Sequence, residues 1–156
     1  MTRRFFGSAI CVFIFAITCG RQARTQTQPS ARALVEAYVS AWNKRDFITL
    51  DGLLAPDALH EDMARPSRDE GPSQINQSIR TTIESQPDLN WHLNSIVDGG
   101  SVVAVEWVWS GTFIGDSPVS PRMPRRISGR GASVFVIENG RIKRVSDYYD
   151  FESVFH

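Results

Sequence analysis

The chain has 156 residues, enough for one domain with a sizeable core. Hydrophobic residues make up 42% and charged residues 22%, as in an ordinary globular protein rather than a disordered or fibrous one. Seventeen basic and seventeen acidic residues cancel, so nothing in the charge points to nucleic acid or to an acidic surface as partner.

Arg3 and Arg4 form a positive start, and residues 5–18 follow as an uncharged apolar run. The run is shorter than the ~20 residues a membrane span needs and has the form of a secretory signal core. Residues 1–19 are therefore expected to be a signal peptide, which leaves fifteen basic against seventeen acidic residues in the exported part. Both cysteines, Cys11 and Cys19, fall in this leader, so no disulfide holds the body together. Cys19, after Ala16-Ile17-Thr18 and before Gly20, loosely resembles the lipidated cysteine of a bacterial lipoprotein signal. Lipidation at Cys19 and ordinary signal cleavage both remain open, as do a periplasmic, a membrane-anchored and a secreted destination. Membrane contact is expected only through the leader or that lipid.

Residues 20–30 are polar and lack large apolar side chains, the composition of a disordered linker. The folded domain is expected over 31–156. Ser30 can cap a helix over 31–44, where Leu34, Val35, Tyr38, Val39, Ala41 and Trp42 form one apolar stripe. Asp46 is a candidate cap for a short second helix containing Phe47, Leu50, Leu53 and Leu54. Pro56-Asp57 reads as a turn, 58–62 as a short strand and 63–72 as a loop. A third helix is expected over 73–85, with Ile75, Ile79 and Ile83 at four-residue spacing. Strands follow at 89–97 and 102–110, joined by the Gly-rich segment 98–101. Three prolines, Pro118, Pro121 and Pro124, make 114–126 an irregular excursion.

The chain closes on its clearest signal. Two β-rich runs flank Glu138-Asn139-Gly140-Arg141, and Asn-Gly accepts the two positive φ angles of a type I′ hairpin turn. In the returning strand, 141–149, Val145, Asp147 and Tyr149 share a face. An acid between an aliphatic and an aromatic neighbour fits a carboxylate inside an apolar pocket, and burial readies such a group for proton transfer. It also fits a solvated sheet edge. Helices first and hairpins after imply an α+β fold: one curved antiparallel sheet with three helices on its concave face and a cavity between them.

Three stretches carry a family resemblance: Ala37-Tyr38-Val39-Ser40-Ala41-Trp42-Asn43-Lys44-Arg45-Asp46, Val103-Ala104-Val105-Glu106-Trp107-Val108-Trp109-Ser110-Gly111-Thr112-Phe113, and residues 131–150. They resemble the first helix, central strand and last hairpin of the NTF2-like superfamily, and more closely its SnoaL-like polyketide cyclase and ester cyclase branch. The resemblance implies a cone-shaped α+β fold and a general acid/base at Asp147. Limonene epoxide hydrolase, a cousin, carries a catalytic acid at a similar place, but its Arg and second Asp on the central strand are replaced here by Trp107 and Trp109. Epoxide hydrolysis is not expected.

His60 falls where the family places a polar pocket residue, and it is either a second proton carrier beside Asp147 or an exposed strand-end histidine. Tyr38, Trp42, Trp91, Trp107, Trp109 and Tyr149 are candidate substrate-binding walls, with core filling as the other reading. Trp91 rather than His92 is expected to face the cavity. His60, Glu61 and Asp62 adjoin, but without a second cluster no metal is expected, and no cofactor is expected either. Arg125, Arg126 and Arg130 read as solvated surface. Two functions follow: cofactor-independent cyclisation or isomerisation of a small hydrophobic carbonyl compound, or a non-catalytic module that binds a hydrophobic molecule or pairs as a homodimer.

Overall fold

The computed structural model describes residues 29–115 and 124–152. The expected signal peptide, Cys19 and its lipid, nearly all of the linker, and Pro118 and Pro121 lie outside the described residues. Among the described residues no helix is long and apolar enough to cross a membrane.

Helix α1 (Ala31–Lys44) begins where Ser30 Oγ accepts the Ala33 N–H at 3.1 Å. It ends on Arg45, which adopts a left-handed φ of 60° and returns its N–H to the carbonyls of Ala41 and Trp42. Asp46 then caps α2 (Phe47–Leu53), accepting from the Thr49 N–H and hydroxyl at 3.0 and 2.6 Å. Among the described residues the fold is α+β, as expected, with three helices and a six-stranded, unclosed sheet. The strands are β1 (Leu54–Asp62), β2 (Ser67–Glu70), β3 (Asn90–Asp98), β4 (Val102–Phe113), β5 (Arg125–Glu138) and β6 (Arg141–Tyr149), in the order β2-β1-β6-β5-β4-β3. Helix α3 (Gly71–Ser85) stands between β2 and β3 in the chain.

Four details differ from expectation. The sheet is antiparallel except for one pair, because β1 runs parallel to β6. Pro56-Asp57 lies inside β1, where the register against β6 shifts between Leu54 and Leu59. Proline cannot donate to a ladder, so it falls in the unpaired bulge. The expected loop at 63–72 contains β2, which pairs antiparallel with β1. Ser-Arg-Asp-Glu has no apolar alternation to announce a strand, and its charged, mostly exposed side chains suit a sheet edge. Helix α3 also starts two residues early, at Gly71, with Gln74 Oε1 accepting the Glu70 N–H at 3.0 Å.

The closing hairpin turns on Asn139 and Gly140, with φ of 50° and 71°, and pairs Glu138 with Arg141. Alternation then sorts the faces. Val103, Val105 and Trp107 on β4 and Ser133, Phe135 and Ile137 on β5 are buried toward the helices, where they meet Leu34, Val35 and Tyr38 of α1 and Ile75 and Ile79 of α3. Asn43 ties α1 to β3 by exchanging two 2.8 Å hydrogen bonds with the backbone N–H and C=O of Trp91. Arg45 adds 2.8 Å bonds to the carbonyls of Pro87 and Leu89.

Small residues on β5 make room for the indoles. Gly131 pairs with Trp107 and Gly129 with Trp109. A Cβ at Gly131 would come within 2.7 Å of the Trp107 ring and closer still to the Tyr148 carbonyl. By contrast, a Cβ at Gly52 of α2 would meet nothing within 4 Å. Gly131→Ala should therefore lose about 1–3 kcal/mol in urea unfolding, whereas Gly52→Ala should gain about 0.5–1 kcal/mol from helix propensity. Equal effects at the two positions would contradict this packing.

Candidate active site

The hollow between helices and sheet has a volume of about 380 Å³. Trp42 of α1, Trp91 of β3 and Trp107 of β4 form a continuous stack along it, with ring centroids 5.5 and 5.2 Å apart and planes within 25° and 27°. Tyr149 continues the row, 6.0 Å from Trp107, and Trp109 adds a further wall. Tyr38 does not line this hollow. It is 1% exposed in the core, edge-on to Phe135 at 5.6 Å. As expected, Trp91 looks inward, while His92 lies on the opposite face beside Val108 and Arg130.

The polar groups cluster at one end. Asp147 is 7% exposed and lines the cavity together with His60. His60 Nε2 lies 2.8 Å from Asp147 Oδ2, although the two residues are 87 apart in the chain. The Ser133 hydroxyl donates to Asp147 Oδ1 at 2.5 Å, and the Trp107 indole N–H donates to Ser133 Oγ at 2.7 Å. Register explains the arrangement: Ser133 sits directly opposite Asp147 across β5 and β6, and the parallel pair sets His60 beside Val145 and Asp62 beside Asp147.

A second carboxylate completes the rim. Asp62 Oδ1 accepts the backbone N–H groups of Ala64 and Arg65 at 3.0 Å, closing the β1–β2 turn. Its Oδ2 takes the Tyr149 hydroxyl and Arg65 Nε, both at 2.8 Å, and the Arg65 guanidinium lies over the Phe151 ring. Burial pushes the Asp62 carboxyl up, but those donors outweigh it and hold it below the usual carboxylate range. Burial, then the neighbouring Asp62, push the Tyr149 phenol upward. Tyr38 is likewise raised, by burial first and the Asp147 charge second.

These charges also act on His60. Burial favours its neutral form, yet the hydrogen bond and charge of Asp147, with Asp69 and Asp62 behind it, raise its pKa above the ordinary value. Ser133, Asp62, Arg65 and Asp69 were not among the expected site residues. Ser133 had a signal, a lone polar residue in phase with Phe135 and Ile137. Asp62 shares the face of His60 two residues on. Arg65 and Asp69 had none, because their places depend on β2. Among the described residues no group of three or more His, Cys, Asp or Glu side chains could hold a metal ion. Arg126 is paired with Asp88 at 2.8 Å on the surface.

The profile of the SnoaL-like domain family matches residues 35–145. Solved structures that resemble the fold include a SnoaL-like polyketide cyclase from Agrobacterium tumefaciens, with a TM-score of 0.69 and 19% identity over 81% of this chain and 96% of that one. TsrD from Streptomyces laurentii gives 0.67 and 26% identity over 78% and 89% of the two chains. A protein of ketosteroid isomerase-like fold from Catenulispora acidiphila, solved with trimethylamine, gives 0.67 and 24% over 82% and 91%. No curated protein matches the chain at a significant level.

The sign of the His60 shift sets a pH test. A histidine whose folded pKa is raised stabilises fully below its unfolded value, 6.5, and that stability fades as pH climbs through the higher folded value. His60→Gln should thus cost most stability in mildly acidic solution, and the gap from the parent protein should narrow on the alkaline side. Urea titrations of both proteins across that range check it; a gap that widens with pH would contradict the charged pair.

Proposed function

This chain belongs to the SnoaL-like domain family, and on that premise we propose that its cavity performs cofactor-independent acid/base chemistry, a cyclisation or isomerisation, on a small hydrophobic carbonyl compound. One observation carries the reading: a nearly buried carboxylate, Asp147, lines an aromatic cavity within 2.8 Å of His60. A carbonyl acidifies the neighbouring C–H bond, so a well-placed base suffices to remove that proton. Each Asp147 oxygen uses one acceptor site on an internal donor and keeps another. The carboxylate takes the proton there and returns it to a different carbon of the same substrate. His60 and Ser133 hold the carboxylate in one rotamer through a hydrogen bond to each oxygen. The Trp42–Trp91–Trp107 row offers flat apolar surface against which an unsaturated substrate packs.

A second reading is binding without turnover. It is favoured by the engagement of both Asp147 oxygens inside the protein, which lets the network be purely structural. In that reading a homodimer through the outer face of the sheet fits the exposed Val102, Val108 and Tyr148. Export belongs to both readings and rests on Arg3, Arg4 and the apolar run 5–18. The N-terminal mass of the protein recovered from its producing cell would distinguish cleavage with a lipid on Cys19, cleavage without one, and an intact leader.

The discriminating experiment is solvent deuterium exchange. A panel of cyclic and aryl ketones is incubated with the protein in heavy water and scanned by mass spectrometry for label next to the carbonyl. Asp147→Asn should lower any protein-dependent exchange by roughly 10²–10⁴-fold, while tryptophan fluorescence titration of the same ketones should give dissociation constants within about threefold of the parent. Exchange that survives in Asp147→Asn would end the catalytic reading, and binding that persists with no exchange in either protein would favour the carrier.

A further inference from the structure

His60 faces acid on both sides. Nε2 meets Asp147 of β6 at 2.8 Å, and Nδ1 lies 3.8 Å from Asp69 Oδ2 of β2. Asp69 is the direct cross-strand partner of His60 in the β1–β2 ladder, so the backbone holds the two side by side. Nδ1 is buried and has no hydrogen-bond partner among the described residues; at 3.8 Å the Asp69 contact is an ion-pair distance rather than a hydrogen bond. A second hollow of about 350 Å³, under α3, reaches His60 from the Asp69 side.

A neutral imidazole has one N–H, so with carboxylates at both nitrogens one of them would face a lone pair. Only the imidazolium offers a donor to each. We propose that Asp69 is a positioning residue of the site: from the edge strand it keeps the His60 ring cationic and turned so that Nε2–H points at Asp147. Asp69 does not line the main cavity; it lines the adjoining hollow, which shares His60 with it, and acts through His60. The other charged or titratable groups around the ring fit this role. Asp62 on β1 is already neutralised by Arg65, Tyr38 of α1 is a buried phenol, and α3 brings only the uncharged Gln77, Ser78, Ile79, Thr81 and Thr82 to the second hollow. The upward shift of His60 described above includes a contribution from Asp69. The proposal deepens the acid/base reading, since a ring fixed with Nε2 toward Asp147 holds that carboxylate in place.

The test needs no substrate. Nitrogen-15 correlation spectra of the whole chain, with His60 assigned by its absence in His60→Gln, report the charge state of each ring nitrogen across pH. In the parent protein both His60 nitrogens should carry protons at neutral pH. Asp69→Asn should lower the His60 midpoint by about one unit, a tenfold change in the protonation constant, and above that midpoint the remaining proton should stay on Nε2. Asp69→Glu should restore at least half of the lost shift, which mere loss of edge-strand packing would not do. Asp69→Ser serves in place of Asp69→Asn should the latter not fold, since an edge position with a partly exposed side chain tolerates small polar residues. A midpoint unmoved within about 0.2 unit in the neutral variants, or a neutral His60 ring in the parent at neutral pH, would overturn the proposal. Either result leaves the exchange experiment on Asp147 standing, and a failure of that experiment leaves the His60 midpoint to be read on its own.

Discussion

A carboxylate cannot be taken out of water without partners, and Asp147 is the group around which this site is arranged. Leaving a charge buried and unpaired costs several kcal/mol. Here the cost is offset by the Ser133 hydroxyl on one oxygen and the His60 imidazole on the other. Trp107 secures Ser133 in turn. These partners come from three strands: β6 holds the acid, β5 the hydroxyl and β1 the imidazole. The network therefore exists only when the sheet is assembled in one register. A slip of one residue would turn Asp147 to the outer face.

The parallel β1–β6 pair is the topological device behind this. An antiparallel hairpin joins neighbours in sequence, but His60 and Asp147 are separated by most of the domain. Inserting β1 between β2 and β6 brings the first polar strand against the last. The same insertion sets Asp62 near Tyr149, so one end of the cavity carries two satisfied carboxylates while the rest is aromatic. The apolar wall depends on an equally specific omission. Trp107 and Trp109 lie across β5 only because Gly131 and Gly129 have no side chains to oppose them.

The elements with strong local signals were legible in the chain. The stripe of α1, the caps at Ser30 and Asp46, the Ile spacing of α3 and the Asn139-Gly140 turn each follow from interactions within a few residues. So does the inward face of β6, since a period of two places Asp147 with Val145 whatever the partner strand. The shared face of Trp107 and Trp109 was legible for the same reason, but not whether they fill the core or line a cavity. Strand β2 was not legible, because Ser67-Arg68-Asp69-Glu70 is held by backbone pairing at an edge and buries almost nothing. Tyr38 and Trp42, one helical turn apart, looked equivalent; they part company because the cavity ends between them.

By itself the sequence determined the helices, the closing hairpin, the α+β class and the candidate acid, since caps, turns and side-chain periods are local properties of a chain. Tertiary structure alone decided that β1 lies parallel to β6, that Ser133 and His60 meet Asp147, and that Asp69 stands behind His60. Those pairings join residues far apart in the chain, and no local preference encodes which strand will take which neighbour. They are settled when the sheet closes over the helices and every buried polar group must find its partner.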